Sequence, residues 1–391
     1  MNQIIFKNNI MDFAFAKELH RLLKNKLKNF IYSKKDFKNN CSFVTMMNGI
    51  VYHPDYDKYD LGTNHPLIGN KPKRTMKMLK HTSMISSFTQ FTPSLADKED
   101  ILRSHGKNYV EKIQRLSKTG GMLTFDTPAP KGIYNYARRA TGGTLVCGSK
   151  LFENYSIMVN PLGGFHHASK NHSSGFCFFN DISVVIEYLR SYYKLKKFLI
   201  IDLDVHHGNG TMDIYFRDPT VLNISIHQDG RTLYPGTGSL KKIGAGKGEG
   251  YTVNLPLPPH TGSDAFIKAF DQIIPTLTHQ FNPEIIIYQA GVDAHHSDPL
   301  ADLDVSVQTY YRLAKAIHSL SQQYSQKLLV LLGGGYNSES CISAYENVFH
   351  GLLHHNQCRV EKDPDHAKNL DIVENRISDL QKVLKSHWNF S

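Results

Sequence analysis

The chain has 391 residues, 40% of them hydrophobic and 20% charged, and a formal net charge of +10. This is ordinary for a soluble globular protein, as one large α/β domain or two smaller ones. Five cysteines, at 41, 147, 177, 341 and 358, are odd in number and form no CxxC pair, a reduced-compartment pattern that speaks against a disulfide-built fold. No apolar run is long enough to span a bilayer, and Lys7 and the asparagines after it interrupt the apolar start, so a soluble cytoplasmic protein with no membrane partner is expected.

Residues 1–45 show helical spacing in Phe13, Ala16, Leu19, Leu22 and Leu23, followed by a basic half in which seven Lys or Arg face one Asp between Arg21 and Lys38. A solvated helix face accounts for such a run, and contact with nucleic acid or chromatin is the alternative. From Val51 to Lys80 the chain is rich in His, Pro, Asp, Tyr and Gly, with His65-Pro66 ahead of a basic quartet, Lys71–Arg74, that reads as the start of a helix. The prolines make Phe125–Pro130 a loop. Apolar runs at Tyr155–Val159, Phe198–Ile201, Val221–Ile226, Glu284–Ala290 and Lys327–Leu332 read as buried strands, with helices at 264–280 and 304–325 between the later ones. This alternation predicts a largely parallel sheet covered on both faces, with ligands gathered at the strands' carboxyl ends. The glycines of 244–250 lack the strand and the Gly-Lys-Ser/Thr ending of a phosphate loop. Residues 356–391, polar and charged, are expected to form a surface extension.

Chemistry collects where the strands end. Behind Phe198–Ile201 stands Asp202-Leu-Asp204-Val-His206-His207-Gly-Asn-Gly. In an extended chain Asp202, Asp204 and His206 project to one side, and carboxylate with imidazole suits zinc or iron(II) better than calcium or magnesium. Behind Tyr155–Val159, the pair Gly163-Gly164 lets the backbone turn ahead of His166-His167. Sequence neighbours point apart on a helix, so two adjacent histidines suit acid–base work better than a shared structural role.

These blocks, with SSGFCFFND (173–181), YPGTG (234–238), GVDAHHSDPL (291–300) and LGGGYN (332–337), resemble in order the zinc-dependent histone deacetylase superfamily, which includes acetylpolyamine amidohydrolases and acetoin-utilisation proteins. The resemblance spans roughly residues 50–355, and several separated blocks are far more specific than one. It implies a single α/β domain of the arginase/deacetylase type over 46–355, flanked by the extensions 1–45 and 356–391. It implies Asp204, His206 and Asp293 as ligands of a catalytic Zn2+ or Fe2+. His166 and His167 match the histidine pair, Asp202 the carboxylate orienting His166, and Tyr336 the oxyanion-stabilising phenol. Asp126 matches a rim aspartate that holds the substrate backbone, Phe176 and Tyr234 the tunnel walls, and Gly175 the small residue that lets a lysine stem pass. A structural potassium is implied at Asp202, Asp204, His206, Ser225 and Ile226. Asn209 stands where many relatives have an aspartate behind the catalytic histidine.

The implied substrate is an acetylated lysine in a peptide or protein such as a histone. A small acylated amine such as an acetylpolyamine is the alternative, and a catalytically weak binding scaffold the alternative of another class. The basic arm leaves room for an exported effector that reaches a host nucleus.

Overall fold

The computed structural model describes residues 46–390 apart from Thr63 and Ile68; the helix expected in residues 1–45 lies outside the described residues. Ten strands occur among the described residues: β1 (Met47–Val51), β2 (Thr89–Phe91), β3 (Gly121–Met122), β4 (Pro128–Ala129), β5 (Tyr155–Asn160), β6 (Phe198–Asp202), β7 (Val221–Gln228), β8 (Thr252–Leu257), β9 (Ile285–Gln289) and β10 (Leu328–Leu331). The helices are α1 (Lys71–His81), α2 (Lys98–Leu102), α3 (Lys107–Thr119), α4 (Ile133–Lys150), α5 (Asp181–Tyr193), α6 (Asn209–Tyr215), α7 (Ser263–Phe281), α8 (Val307–Tyr324), α9 (Ser338–Leu352) and α10 (Leu370–Leu384).

Eight strands form one sheet in the order β2-β1-β5-β10-β9-β6-β7-β8, and every neighbouring pair is parallel. Helices cover both faces, as a parallel sheet requires. The side-chain period of two divides each strand between two cores. In β6, Leu199 and Ile201 face the layer that holds α7, α8 and α9, whereas Phe198 and Ile200 face the layer of α4 and α5. Ile286 and Tyr288 of β9 repeat the division against Ile285 and Ile287. This explains why the strands read as continuous apolar runs.

Three details differ from expectation. Strand β6 ends at Asp202, so Asp204 and His206 lie on the loop beyond it and are placed by tertiary contacts, not by the pleat. The C-terminal segment is not a loose surface extension: Val373, Ile377, Leu380 and Leu384 form the buried stripe of α10, and Trp388 is buried beyond it. The Trp388 indole N–H donates to the Gly250 carbonyl at 2.6 Å. The polar composition concealed an i, i+4, i+7, i+11 stripe that belongs to the main core. Gly250, at the end of the glycine cluster 244–250, therefore anchors the segment that follows this helix.

Candidate active site

Strands β5, β10, β9 and β6 are adjacent, yet the chain passes from β5 directly to β6 and fills the gap later. Such a break in strand order leaves a crevice at the carboxyl ends. The four loops leaving it supply His166 and His167 after β5, Asp204 and His206 after β6, Asp293 after β9 and Tyr336 after β10.

The β5 loop is held from beneath by Asp181, a buried carboxylate at the first turn of α5. It accepts the N–H of Gly164 at 3.1 Å and of Phe165 at 2.8 Å, and the Thr144 hydroxyl at 2.6 Å. Above it, His166 Nδ1 lies 2.8 Å from Asp202 Oδ2, His166 Nε2 lies 3.1 Å from His167 Nε2, and His167 Nδ1 lies 2.8 Å from Asn209 Oδ1. Carboxylate and amide oxygens accept, so both Nδ1 atoms carry protons. The remaining contact then needs one Nε2–H, from His166, leaving the His167 Nε2 lone pair as the basic atom. Electrostatics agree: burial lowers the His166 pKa, but Asp202 and Asp204 outweigh it and hold the group up at about 9. Burial and the His166 charge push His167 well below the ordinary histidine value.

Asp204, His206 and Asp293 are buried, with one ligand atom from each lying within 4.8 Å of the others. His206 Nδ1 is 3.2 Å from Asp204 Oδ1 and 3.1 Å from Asp293 Oδ2. No Lys or Arg among the described residues pairs with either carboxylate. Burial raises Asp293 to about 7, with Asp204 adding to the effect, while the two carboxylates hold His206 up at about 10 against its burial. Two acids and an imidazole in this arrangement call for a cation, and two oxygens with one nitrogen fit zinc or iron(II). The surrounding backbone leaves the space: a Cβ on Gly334 would stand 2.0 Å from Asp293 Oδ2 and 2.5 Å from Asp204 Oδ2.

A cavity of about 160 Å³ opens onto this group, lined by Phe125, Asp126, His167, Gly175, Phe176, His206, Tyr234, Leu300 and Tyr336. Asp126 Oδ2 accepts the Gly175 N–H at 2.9 Å, and Thr127 Oγ1 accepts the Phe176 N–H at 3.1 Å, so the rim loop holds the wall in place. Gly175 has φ +52°, and a Cβ there would lie 2.1 Å from His167 Cδ2. Only glycine passes the histidine at that distance. Phe176 meets Tyr336 edge-on at 5.7 Å between ring centroids, and Tyr234 meets His167 at 5.3 Å. Of the residues expected to hold potassium, Asp202 and Ser225 are register partners on β6 and β7, with Ile226 next along the strand. The structure thus brings every expected residue to this end of the sheet.

Sequence reasoning assigned no role to four groups that position the site. Asp298 accepts the Tyr336 N–H at 2.7 Å, and Gln289 donates to Asp204 Oδ2 at 2.9 Å. His65 Nε2 lies 3.1 Å from the Asp126 carbonyl with its ring edge-on to Phe176, and the Lys71 ammonium donates to the Gly333 carbonyl at 2.5 Å. Asp298 falls inside a block already singled out, and His65 and Lys71 in the 51–80 segment noted for its composition; Gln289 carries no local signal beyond its strand.

Comparison with known proteins defines the class. The histone deacetylase domain model matches residues 65–352, and the chain belongs to that family. A probable deacetylase of Archaeoglobus fulgidus is 35% identical over 304 residues, covering 76% of this chain and 83% of its own. The acetoin utilization protein AcuC of Bacillus subtilis is 33% identical, with 73% and 77% covered. The chloroplastic histone deacetylase 14 of Arabidopsis thaliana is 38% identical over 270 residues, 65% of this chain and 63% of that protein. Among solved structures, the HD domain of HDA15 superposes with a TM-score of 0.77 at 26% identity, covering 88% of this chain and 96% of that one. The protein is a deacetylase of this family with an arginase/deacetylase-type α/β domain.

Proposed function

We propose that the protein hydrolyses acetyl groups from lysine side chains of proteins, histones among them. The observation that carries this reading is convergence: His167, His206 and Tyr336 line one cavity with Phe176 and Tyr234, His166 stands 3.1 Å behind His167, and Asp204 and Asp293 cluster with His206. A flat aromatic slot suits the aliphatic stem of a lysine.

Asp204, His206 and Asp293 would hold zinc, with iron(II) as the alternative, and the ion supplies Lewis acidity toward the acyl carbonyl and the attacking water. Potassium is proposed at Asp202, Asp204, His206, Ser225 and Ile226, partly through backbone carbonyls. His167 Nε2 takes the proton of the attacking water and returns it to the departing amine. His166, kept charged by Asp202, steadies the negative charge that develops. The buried Tyr336 phenol, whose pKa is raised well above its ordinary value by burial and by Asp204 and Asp293, stays protonated and donates to the oxyanion. Asp126 holds the substrate backbone at the rim. Among the described residues it is the single carboxylate lining the mouth cavity. A polyamine carries further ammonium groups that call for more acid at the mouth than one carboxylate, which favours acyl-lysine. The basic residues 1–45 are proposed to contact nucleic acid or chromatin.

Zinc-loaded protein should turn over acetylated histone peptides with a higher kcat/KM than acetylspermidine. If wild type and Tyr336→Phe were equally inert on every acyl-lysine tried, the scaffold reading would replace this one.

A further inference from the structure

A second cluster of metal-ligating side chains stands apart from the cavity. His295 is 2% exposed; its Nε2 lies 2.7 Å from Glu361 Oε1, and His296 Nε2 lies 3.5 Å from the same oxygen. One ligand atom from each of the three residues falls within 4.8 Å of the others. In a tetrahedron with bonds of about 2.0–2.1 Å the ligand atoms stand about 3.3 Å apart, so the group needs only small adjustments to close on an ion.

The Ser297 N–H donates to His295 Nδ1 at 3.1 Å, so Nε2–H donates to Glu361; binding an ion through Nε2 requires a shift to the Nδ1–H tautomer, for which the Ser297 hydroxyl at 2.9 Å is the acceptor. Glu361 Oε1 also accepts the Val307 N–H at 2.8 Å, at the start of α8, whereas Oε2 makes no hydrogen bond among the described residues. Once an ion replaces the His295 proton, Oε1, the oxygen that both imidazoles approach, can bind it with one lone pair and keep the Val307 N–H on the other. His296 and Glu361 side chains are each 30% exposed, which gives an ion a way in and leaves room for water as a fourth ligand.

We propose that His295, His296 and Glu361 form a second site for a divalent transition metal, zinc or its analogues, distinct from the catalytic group. Two imidazoles and one carboxylate are a nitrogen-rich set, better matched to zinc, cobalt(II) or nickel(II) than to calcium or magnesium. Glu361 lies beyond the matched family domain, which ends at residue 352. The ion would tie this outer segment to the loop that carries Asp293, joining residues 66 apart in sequence.

The test is metal counting on the full chain. Chelator-stripped protein is titrated with cobalt(II), with visible absorption and elemental analysis as readouts, for wild type, His296→Ala and Glu361→Gln. Wild type should bind two equivalents and each variant one. A single equivalent in wild type that persists in His296→Ala, or a second that survives both substitutions as adventitious binding to surface histidines, overturns the proposal. A single equivalent lost in His296→Ala would support it and count instead against the catalytic metal group. Glu361→Gln also weakens the contact with α8; should it fail to fold, His296→Ala decides, since that side chain is partly exposed.

Discussion

Two histidine pairs in this protein share a dipeptide and little else. In His166-His167 each Nδ1 is committed to its own oxygen, of Asp202 and Asn209, so the Nε2 atoms face each other and the two rings take different protonation states. In His295-His296 both Nε2 atoms point toward one carboxylate, and one ring reaches solvent. The lesson is that second partners decide what a histidine does. Separate acceptors split the first pair into a charged ring and a basic one, whereas one carboxylate gathers the Nε2 atoms of the second pair, the arrangement proposed above to take a metal.

The largest expected effect breaks the first pair. His167→Ala removes the basic atom, and kcat on an acetyl-lysine peptide should fall by about 10²–10⁴, the range for a positioned general base. A loss below tenfold in protein that retains its metal would assign the proton transfer to another group. Tyr336→Phe should come next, with kcat reduced by about 10²–10³ and KM nearly unchanged, because the lost donor acts on charge present only in the transition state. A rise in KM at constant kcat would place the phenol in ground-state binding.

The second pair depends on the C-terminal segment being docked, and Leu380, fully buried on α10, anchors that segment. Leu380→Ala should lower stability by about 2–5 kcal/mol, measured by denaturant unfolding. A change under 1 kcal/mol would mean that α10 contributes little to the core and that the surface-extension reading was closer to the truth.

How much of this was legible beforehand differs between the two regions. The buried strands and the residues behind them could be read locally, because a parallel strand is an apolar run and its end is marked by glycine and polar side chains. Strand β6 ends at Asp202, short of where alternation would carry it, and the Asp204 carboxylate is set by Gln289 at the end of β9 and by the Gly334 N–H in the loop after β10, both distant in sequence. Asp293 and Tyr336 were assigned through family blocks and not through any pattern of their own. Contact between His295 and Glu361 had no local signature, since no periodicity links positions that far apart. The stripe Val373, Ile377, Leu380 and Leu384 was present to be read, but the charged residues around it led to a surface assignment.

The finest distinction within the first pair is the amide at Asn209. Its Oδ1 fixes the tautomer of His167 as a carboxylate would, at 2.8 Å, but contributes no negative charge to favour the imidazolium. His167 therefore keeps the depressed pKa that burial and its neighbours impose, and its neutral, proton-accepting form persists to lower pH. Asn209→Asp adds the missing charge and raises that pKa. Because the acidic limb of kcat/KM reports loss of the free enzyme's base by protonation, the limb should move to higher pH. The readout is the pH profile of wild type and variant on one acetyl-lysine peptide at matched metal content. An unmoved limb, or one displaced to lower pH, would show that the limb belongs to a group other than His167, and the division of the pair into a charged ring and a basic one would have to be redrawn.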